Sequence, residues 1–195
     1  MTTNCWAALL ALVLCIGVQA PSYAAPTPSK AADYCTKKGG VVQTRIPEYG
    51  TNGNSPLVLS GHKDFCQFTS EKDGSQINVL LSTLFTKDPS LAALAYYAEV
   101  PIGQCNGNPA SCYCTLLGGS DSFGGINSAG GGWVLEGDSS DVLEACVFPD
   151  MSSIDSWGLA YHSAGIIRGK DLSQVLRYPN PYTATRHKTL PFRKT

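Results

Sequence analysis

Charged side chains are scarce in this 195-residue sequence: Asp, Glu, Lys and Arg make up 15% of it, and their near balance leaves a formal net charge of −1. A chain this neutral lacks the basic excess with which nucleic-acid binders neutralise phosphates, so no nucleic-acid partner is expected. Histidine is equally rare. His62, His162 and His187 are the only three, and none stands at ligand spacing from another metal-binding residue type. Beyond residue 20 no apolar run approaches the roughly 18 residues that span a bilayer, which excludes a transmembrane span in the mature chain. The length fits one modest domain or two very small ones.

What is present begins with an address. Residues 6–20 form an almost unbroken apolar run, followed by helix-breaking Pro21 and by Ser22-Tyr23-Ala24, the small-x-small pattern that signal peptidase reads. Residues 1–24 are therefore read as a signal peptide cleaved after Ala24, and the protein as secreted or periplasmic. Cys15 follows Leu14, where a lipoprotein signal carries a small residue, so lipid anchoring is not expected. Cleavage removes Cys5 and Cys15. The remaining Cys35, Cys66, Cys105, Cys112, Cys114 and Cys146 are even in number in an oxidising compartment, the mark of a disulfide framework.

One unit occurs twice in the chain. Ala31-Ala32-Asp33-Tyr34-Cys35-Thr36-Lys37-Lys38-Gly39-Gly40 and Ala110-Ser111-Cys112-Tyr113-Cys114-Thr115-Leu116-Leu117-Gly118-Gly119 share Ala-x-x-Tyr-Cys-Thr-x-x-Gly-Gly. Phe65-Cys66-Gln67-Phe68 matches Ala145-Cys146-Val147-Phe148 with the cysteine spacing kept within one residue, and Ala93-Leu94-Ala95-Tyr96-Tyr97 matches Gly158-Leu159-Ala160-Tyr161-His162. The first copy carries an insertion of about 15 residues before that last match. Six cysteines allow 15 connectivities. If both copies fold alike, Cys35 pairs with Cys66 and Cys114 with Cys146, which leaves Cys105 and Cys112 for each other.

The expected class is α+β, as two tandem helix–β-hairpin–helix units stapled by disulfides, with a helical hairpin inserted in the first. Ser29 can cap a helix over residues 30–38, and Asn108 one that starts at Pro109; Gly39-Gly40 and Gly118-Gly119 end them. The hairpin strands are read at residues 41–46 and 65–69, and at 132–135 and 145–148 in the second copy. In the insertion, Ile77, Leu80, Leu81, Leu84 and Phe85 recur with helical period and form one apolar face, which packs on the two units or else meets a membrane or partner. Lys87-Asp88-Pro89 makes a turn and Ser90 caps a second helix to about residue 99. The domains read as 1–24 signal peptide, 25–103 first unit, 104–167 second unit and 168–195 basic tail.

Known chemistries find little purchase. Cys105, Cys112 and Cys114 as zinc ligands would need a nearby histidine that is absent. Gly137-Asp138-Ser139-Ser140 has the Gly-Asp-Ser of some ester hydrolases, but it sits mid-chain, and Asp155-Ser156-Trp157-Gly158 lacks the histidine such an enzyme requires. The glycine-rich residues 118–132 end in neither phosphate-loop signature, so a flexible loop suffices and no cofactor is expected. The corresponding residues 47–62 are also rich in Gly, Asn and Ser, which suggests a shared exposed surface. Residues 168–195 carry seven Lys or Arg against the single Asp171, a basic tail that can fold back on the acidic remainder or touch an anionic surface.

The run from Asn108-Pro109-Ala110-Ser111 through Tyr113-Cys114 and Gly118-Gly119 to Cys146-Val147-Phe148-Pro149-Asp150 and Trp157 resembles a family of small exported bacterial domains that carries a hemolysin label. The first copy resembles it through Tyr34-Cys35, Gly39-Gly40, Cys66, Phe68 and Asp73-Gly74. Near Ile77, Ile154 and Ala164 this chain has apolar residues where the family places a further cysteine pair. The resemblance implies an exported location and a disulfide-stapled fold, and carries no catalytic residue across. The resulting expectation is a secreted, non-enzymatic protein that binds an unknown partner through exposed loops; a membrane-perturbing toxin and an inhibitor of an extracellular hydrolase are the alternatives. N-terminal sequencing of the protein recovered from the medium or periplasm should start at Ala25, and a start at Met1 would remove the export argument.

Overall fold

The computed structural model describes residues 29–121 and 129–183; residues 1–28, on which the expected signal peptide falls, residues 122–128 and residues 184–195, His187 among them, lie outside the described residues. Helix α1 (Lys30–Lys37) leads into strands β1 (Val41–Tyr49), β2 (Leu57–Val58), β3 (Lys63–Thr69) and β4 (Gln76–Leu80), followed by helices α2 (Leu81–Phe85) and α3 (Leu91–Ala98). Helix α4 (Pro109–Leu116) precedes β5 (Gly131–Leu135), β6 (Asp138–Leu143), β7 (Ala145–Val147) and β8 (Ser153–Asp155), and helix α5 (Ser156–Ser163) and a 3-10 turn (Leu172–Gln174) close the chain.

The ends of α1 and α4 follow local rules. Ser29 Oγ accepts the Ala32 N–H at 3.1 Å, and Asn108 Oδ1 accepts those of Ala110 and Ser111 at 2.9 and 3.3 Å, so first-turn donors are met. Both helices close with the bond from the second residue past the cap back into the last turn: Gly40 N–H to the Cys35 carbonyl at 3.0 Å, Gly119 N–H to the Cys114 carbonyl at 2.9 Å. That turn needs a left-handed residue, supplied by Gly39 at φ +85° and Gly118 at +84°. Three disulfides form, Cys35–Cys66, Cys105–Cys112 and Cys114–Cys146. The second glycine of each pair lies against one of them. A Cβ on Gly40 would overlap the sulfurs of Cys35 and Cys66, and one on Gly119 those of Cys114 and Cys146.

The strands correct the expected architecture. They do not form two helix–β-hairpin–helix units but one antiparallel sheet, in the order β6-β5-β1-β3-β4-β8-β7 with β2 on the free part of β1, curled into a half-barrel. The first segment has three long strands rather than a hairpin, because Gln76–Leu80 pairs with β3 instead of starting a helix. Three such strands alone would leave the outer backbone groups of β1 and β4 unpaired. β5 pairs with β1 and β8 with β4, so the second half of the chain supplies both missing neighbours. The strands expected to form the second hairpin, β5 and β7, do not pair with each other; each has its own partner, β6 and β8.

This topology gives the sheet two faces. Cys66, Phe68, Ile77, Val79, Cys146 and Ile154 point to the face covered by the helices, where the main core sits. Ile77, Leu80, Leu81 and Leu84 are 8% exposed or less, and Phe85 is half-buried under Arg177, so the apolar face read from the insertion is interior. Ile77 and Leu80 lie on β4 and not on a helix. The helical period misleads here because a short buried strand is apolar on both faces. The start of the basic tail is packed as a strap: Leu172, Val175 and Leu176 are buried, Tyr34 and Tyr97 hydroxyls donate to the carbonyls of Val175 and Tyr178 at 2.8 and 2.6 Å, and Lys170 Nζ reaches the Lys38 carbonyl at 2.6 Å.

Gly40→Ala and Gly119→Ala should each lower stability by about 1–3 kcal/mol, since the added methyl meets sulfur and not a movable chain end. Gly103, with no atom near its missing Cβ, is the control: Gly103→Ala should leave the urea midpoint unchanged or raised.

Candidate functional site

Inside the curl the sheet face divides by composition. One part is a small apolar cluster of Phe65, Leu80, Trp133, Leu143 and Ala145. Next to it, Gln43 and Arg45 on β1, Gln67 on β3, and Gln76 and Asn78 on β4 occupy alternate positions, which places their side chains on the same face as Phe65. Arg45, 1% exposed, anchors this row through a two-pronged ion pair with Asp141: Nη1 to Oδ1 at 3.0 Å and Nη2 to Oδ2 at 3.2 Å. It also donates to the Trp133 carbonyl at 3.0 Å and to Gln43 Oε1 at 2.6 Å. A guanidinium tolerates burial only when its fork of donors is met in this way. Gln67 Nε2 extends the row, 3.3 Å from Gln43 Oε1 and 3.1 Å from Gln76 Oε1.

Beside the row lies a cavity of about 230 Å³, walled by Gln76 and Asn78, by residues 141–144, and by Asp155, Trp157 and Arg168. Asp155 caps α5 by accepting the Gly158 N–H, and its other oxygen takes the Asn78 backbone N–H at 2.7 Å. Burial pushes its carboxyl up to about 6; those two backbone donors, Arg168 and Arg45 act in the opposite direction. Glu144 accepts from Asn108 Nδ2 at 3.2 Å. Trp157 is half-buried and tilted against Tyr161, and Arg168 lies 5.2 Å from the centre of the Tyr161 ring. Asn78 is the exception among these groups. Its side chain is 5% exposed, and Oδ1 is buried without a hydrogen-bond partner. An orphaned acceptor of this kind costs about 1–3 kcal/mol.

Three depressions are larger: two, of about 440 and 470 Å³, meet at Gly118, Phe148 and Pro149 and have mostly apolar walls, and a third, of about 340 Å³, is lined by Ser82, Thr83, Thr86, Ser90, Asp150 and Ser152.

The residues singled out from sequence fall elsewhere. Cys105, Cys112 and Cys114 have their sulfurs in disulfides and not in a zinc site. Asp138 of the Gly-Asp-Ser run opens β6 and is held by the Ser140 N–H and hydroxyl. His162 is a packed ring, stacked 3.8 Å from Tyr96 with 4° between planes, and burial keeps its imidazole below its usual range. His62 is exposed. Residues 50 and 52 do meet the end of the glycine-rich loop, through 3.0 Å bonds from Gly50 and Asn52 N–H to the Gly130 and Ala129 carbonyls.

Sequence reasoning passed over Gln43, Arg45, Gln67, Gln76, Asn78, Asp141, Glu144 and Arg168, and set aside Asp155 and Trp157. The signal was the polar residue at every second strand position, a pattern that ordinarily marks the solvent side. No protein-family model, curated protein or solved structure matches the chain, so function rests on the site itself.

Asp155 holds its proton to a higher pH in the folded state than in the unfolded chain. Its contribution to stability is therefore full below about pH 4 and lost as the pH rises to about 6. Urea titrations from pH 4 to 7 should show the wild type losing about 3 kcal/mol relative to Asp155→Asn across that window; a constant difference would mean a normally solvated carboxylate.

Proposed function

We propose that the protein is exported and acts by binding rather than by catalysis, taking a small polar ligand into the cavity beside Asn78. Three disulfides stabilise the fold, and among the described residues no helix is long and apolar enough to cross a membrane. The leader-like N-terminus and the hemolysin-labelled family resemblance support the same oxidising compartment. Lysis through Ile77, Leu80, Leu81 and Leu84 has no support from a fold that buries them.

The observation that carries the binding reading is the orphaned Asn78 Oδ1. Stability alone would favour an apolar side chain at this buried position or a partner for the amide. Asn78 lines the cavity while its Oδ1 is shielded from solvent, so a ligand donor reaches this acceptor when the amide turns toward the cavity. Catalysis is disfavoured because each carboxylate of the wall is already engaged: Asp141 by Arg45, Asp155 by two backbone N–H groups, Glu144 by Asn108.

Asn78→Leu separates function from folding. Removing the open acceptor should leave the urea midpoint equal to or above that of the wild type. Saturation-transfer NMR with a panel of sugars, amino acids, polyamines and organic acids should show contact with the wild type and none with the variant. Binding that survives the substitution would move the site elsewhere, and lost stability would make Asn78 a structural residue.

A further inference from the structure

Away from the cavity beside Asn78, the molecule carries an apolar surface. Five of the large apolar side chains that stay exposed, Leu91, Val100, Leu116, Met151 and Tyr182, gather around the two depressions that meet at Gly118, Phe148 and Pro149. Neither depression shares a wall residue with the cavity. Exposed apolar residues scattered singly are ordinary on a protein surface, but a cluster of them lining concave walls marks a binding region. At about 440 and 470 Å³, each depression falls within the ~300–1,000 Å³ of sites for small ligands.

The two depressions differ in charge. One is walled by α3 and the end of α4, with Leu91, Leu94, Leu116 and Leu117 in its lining, and Tyr182 carries its one polar side-chain atom. The other reaches Lys63 at the start of β3 and Trp133 on β5. Among the described residues, Lys63 is the only charged one in either wall. Its Nζ lies 5.3 Å from the centre of the Trp133 ring, and it forms no ion pair with a described carboxylate. Partial burial therefore acts alone on its ammonium and pushes it below its usual range. Together the depressions have one cationic end and one hydrocarbon end, with Gly118, Phe148 and Pro149 between them.

Such a surface selects an anion with an apolar tail. A peptide matches it poorly, because the backbone N–H groups of the shared wall are spent within the chain: those of Gly118 and Gly119 on carbonyls of α4, those of Ser120 and Val147 on each other, and that of Phe148 on the Ser152 carbonyl. A peptide laid there would lose water from its own N–H and C=O groups without finding partners, whereas an acyl chain carries none. One ammonium balances one unit of charge, which suits a carboxylate better than a phosphate monoester with nearly two. We propose that the two depressions form one site for a free long-chain fatty acid, with its carboxylate at Lys63 and its acyl chain running over Trp133 and past Phe148 and Pro149 to Leu94 and Leu117.

The test is calorimetric titration of the oxidised protein, as recovered from the medium or periplasm, with octanoate, decanoate, dodecanoate and tetradecanoate, each below its critical micelle concentration. Affinity should rise with every added pair of carbons, by up to about fifteenfold if both methylenes are fully buried. Dodecanoate should bind at least tenfold more tightly than dodecyltrimethylammonium, which has the same chain and the opposite charge. Lys63→Met should weaken dodecanoate tenfold or more and remove that preference, and Lys63→Arg should retain it. Leu91→Gln combined with Leu116→Gln, both at exposed positions, should weaken tetradecanoate at least fivefold and leave octanoate nearly unchanged. Circular dichroism confirms that each variant is folded.

Equal affinity for the two headgroups, or unchanged dodecanoate binding by folded Lys63→Met, would overturn the carboxylate assignment, and affinity indifferent to chain length would overturn the acyl path. Phosphatidylglycerol vesicles and an acetylated leucine-rich hexapeptide are titrated alongside. Binding of the vesicles without the fatty acids would make the surface a membrane contact, binding of the hexapeptide alone would make it a peptide groove, and silence from every probe would leave no site there; each of these overturns the proposal. None of them touches the cavity beside Asn78, whose ligand is tested separately.

Discussion

The fold depends on the need of β1 and β4 for a hydrogen-bonding neighbour on each side. Residues 30–98 supply only β3 between them and the two-residue β2 at the far end of β1, and the second half of the chain completes the sheet by pairing β5 with β1 and β8 with β4. The two halves therefore share one sheet and cannot be separated without opening two ladders. Continuity of the sheet creates both of its faces: one buried under the helices, the other folded into a trough.

The covered face is conventional in composition, with two disulfides and their glycines set into an apolar core. The trough is not. A buried guanidinium, three glutamines and an asparagine occupy a surface that an apolar cluster could have filled, and a buried ion pair brings little net stability once desolvation is counted. Arg45 and its partners hold Asp141 and Gln43 in fixed positions at the edge of the cavity. The polar row thus trades packing for a shaped, hydrogen-bonding wall, and Asn78 is the place in that wall where the trade stays open.

Much of the local grammar was legible in sequence. Ser29, Ser90 and Asn108 cap the helices that their positions indicate, and the two long disulfides join the cysteines within each copy of the duplicated blocks, Cys35 with Cys66 and Cys114 with Cys146. The larger architecture was not legible. Ile77-Asn78-Val79-Leu80 lies in a strand buried on both faces, and such a run satisfies a helical period by chance. Residues 138–143, whose first four are polar, are a strand because Trp133, Val134 and Leu135 lie opposite them. The site was overlooked for a related reason: Gln43, Arg45 and Gln67 look solvent-facing until the sheet curls and covers them.

What the sequence by itself determined was set by interactions reaching only a few residues: caps, left-handed glycine turns and the even count of cysteines. Which strand pairs with which, which apolar run lies inside, and which polar row becomes a cavity wall were decided by tertiary structure. The physical reason is that each of these depends on residues far apart in the chain, Arg45 with Asp141 and Asn78 with Asp155, whose meeting no local pattern encodes.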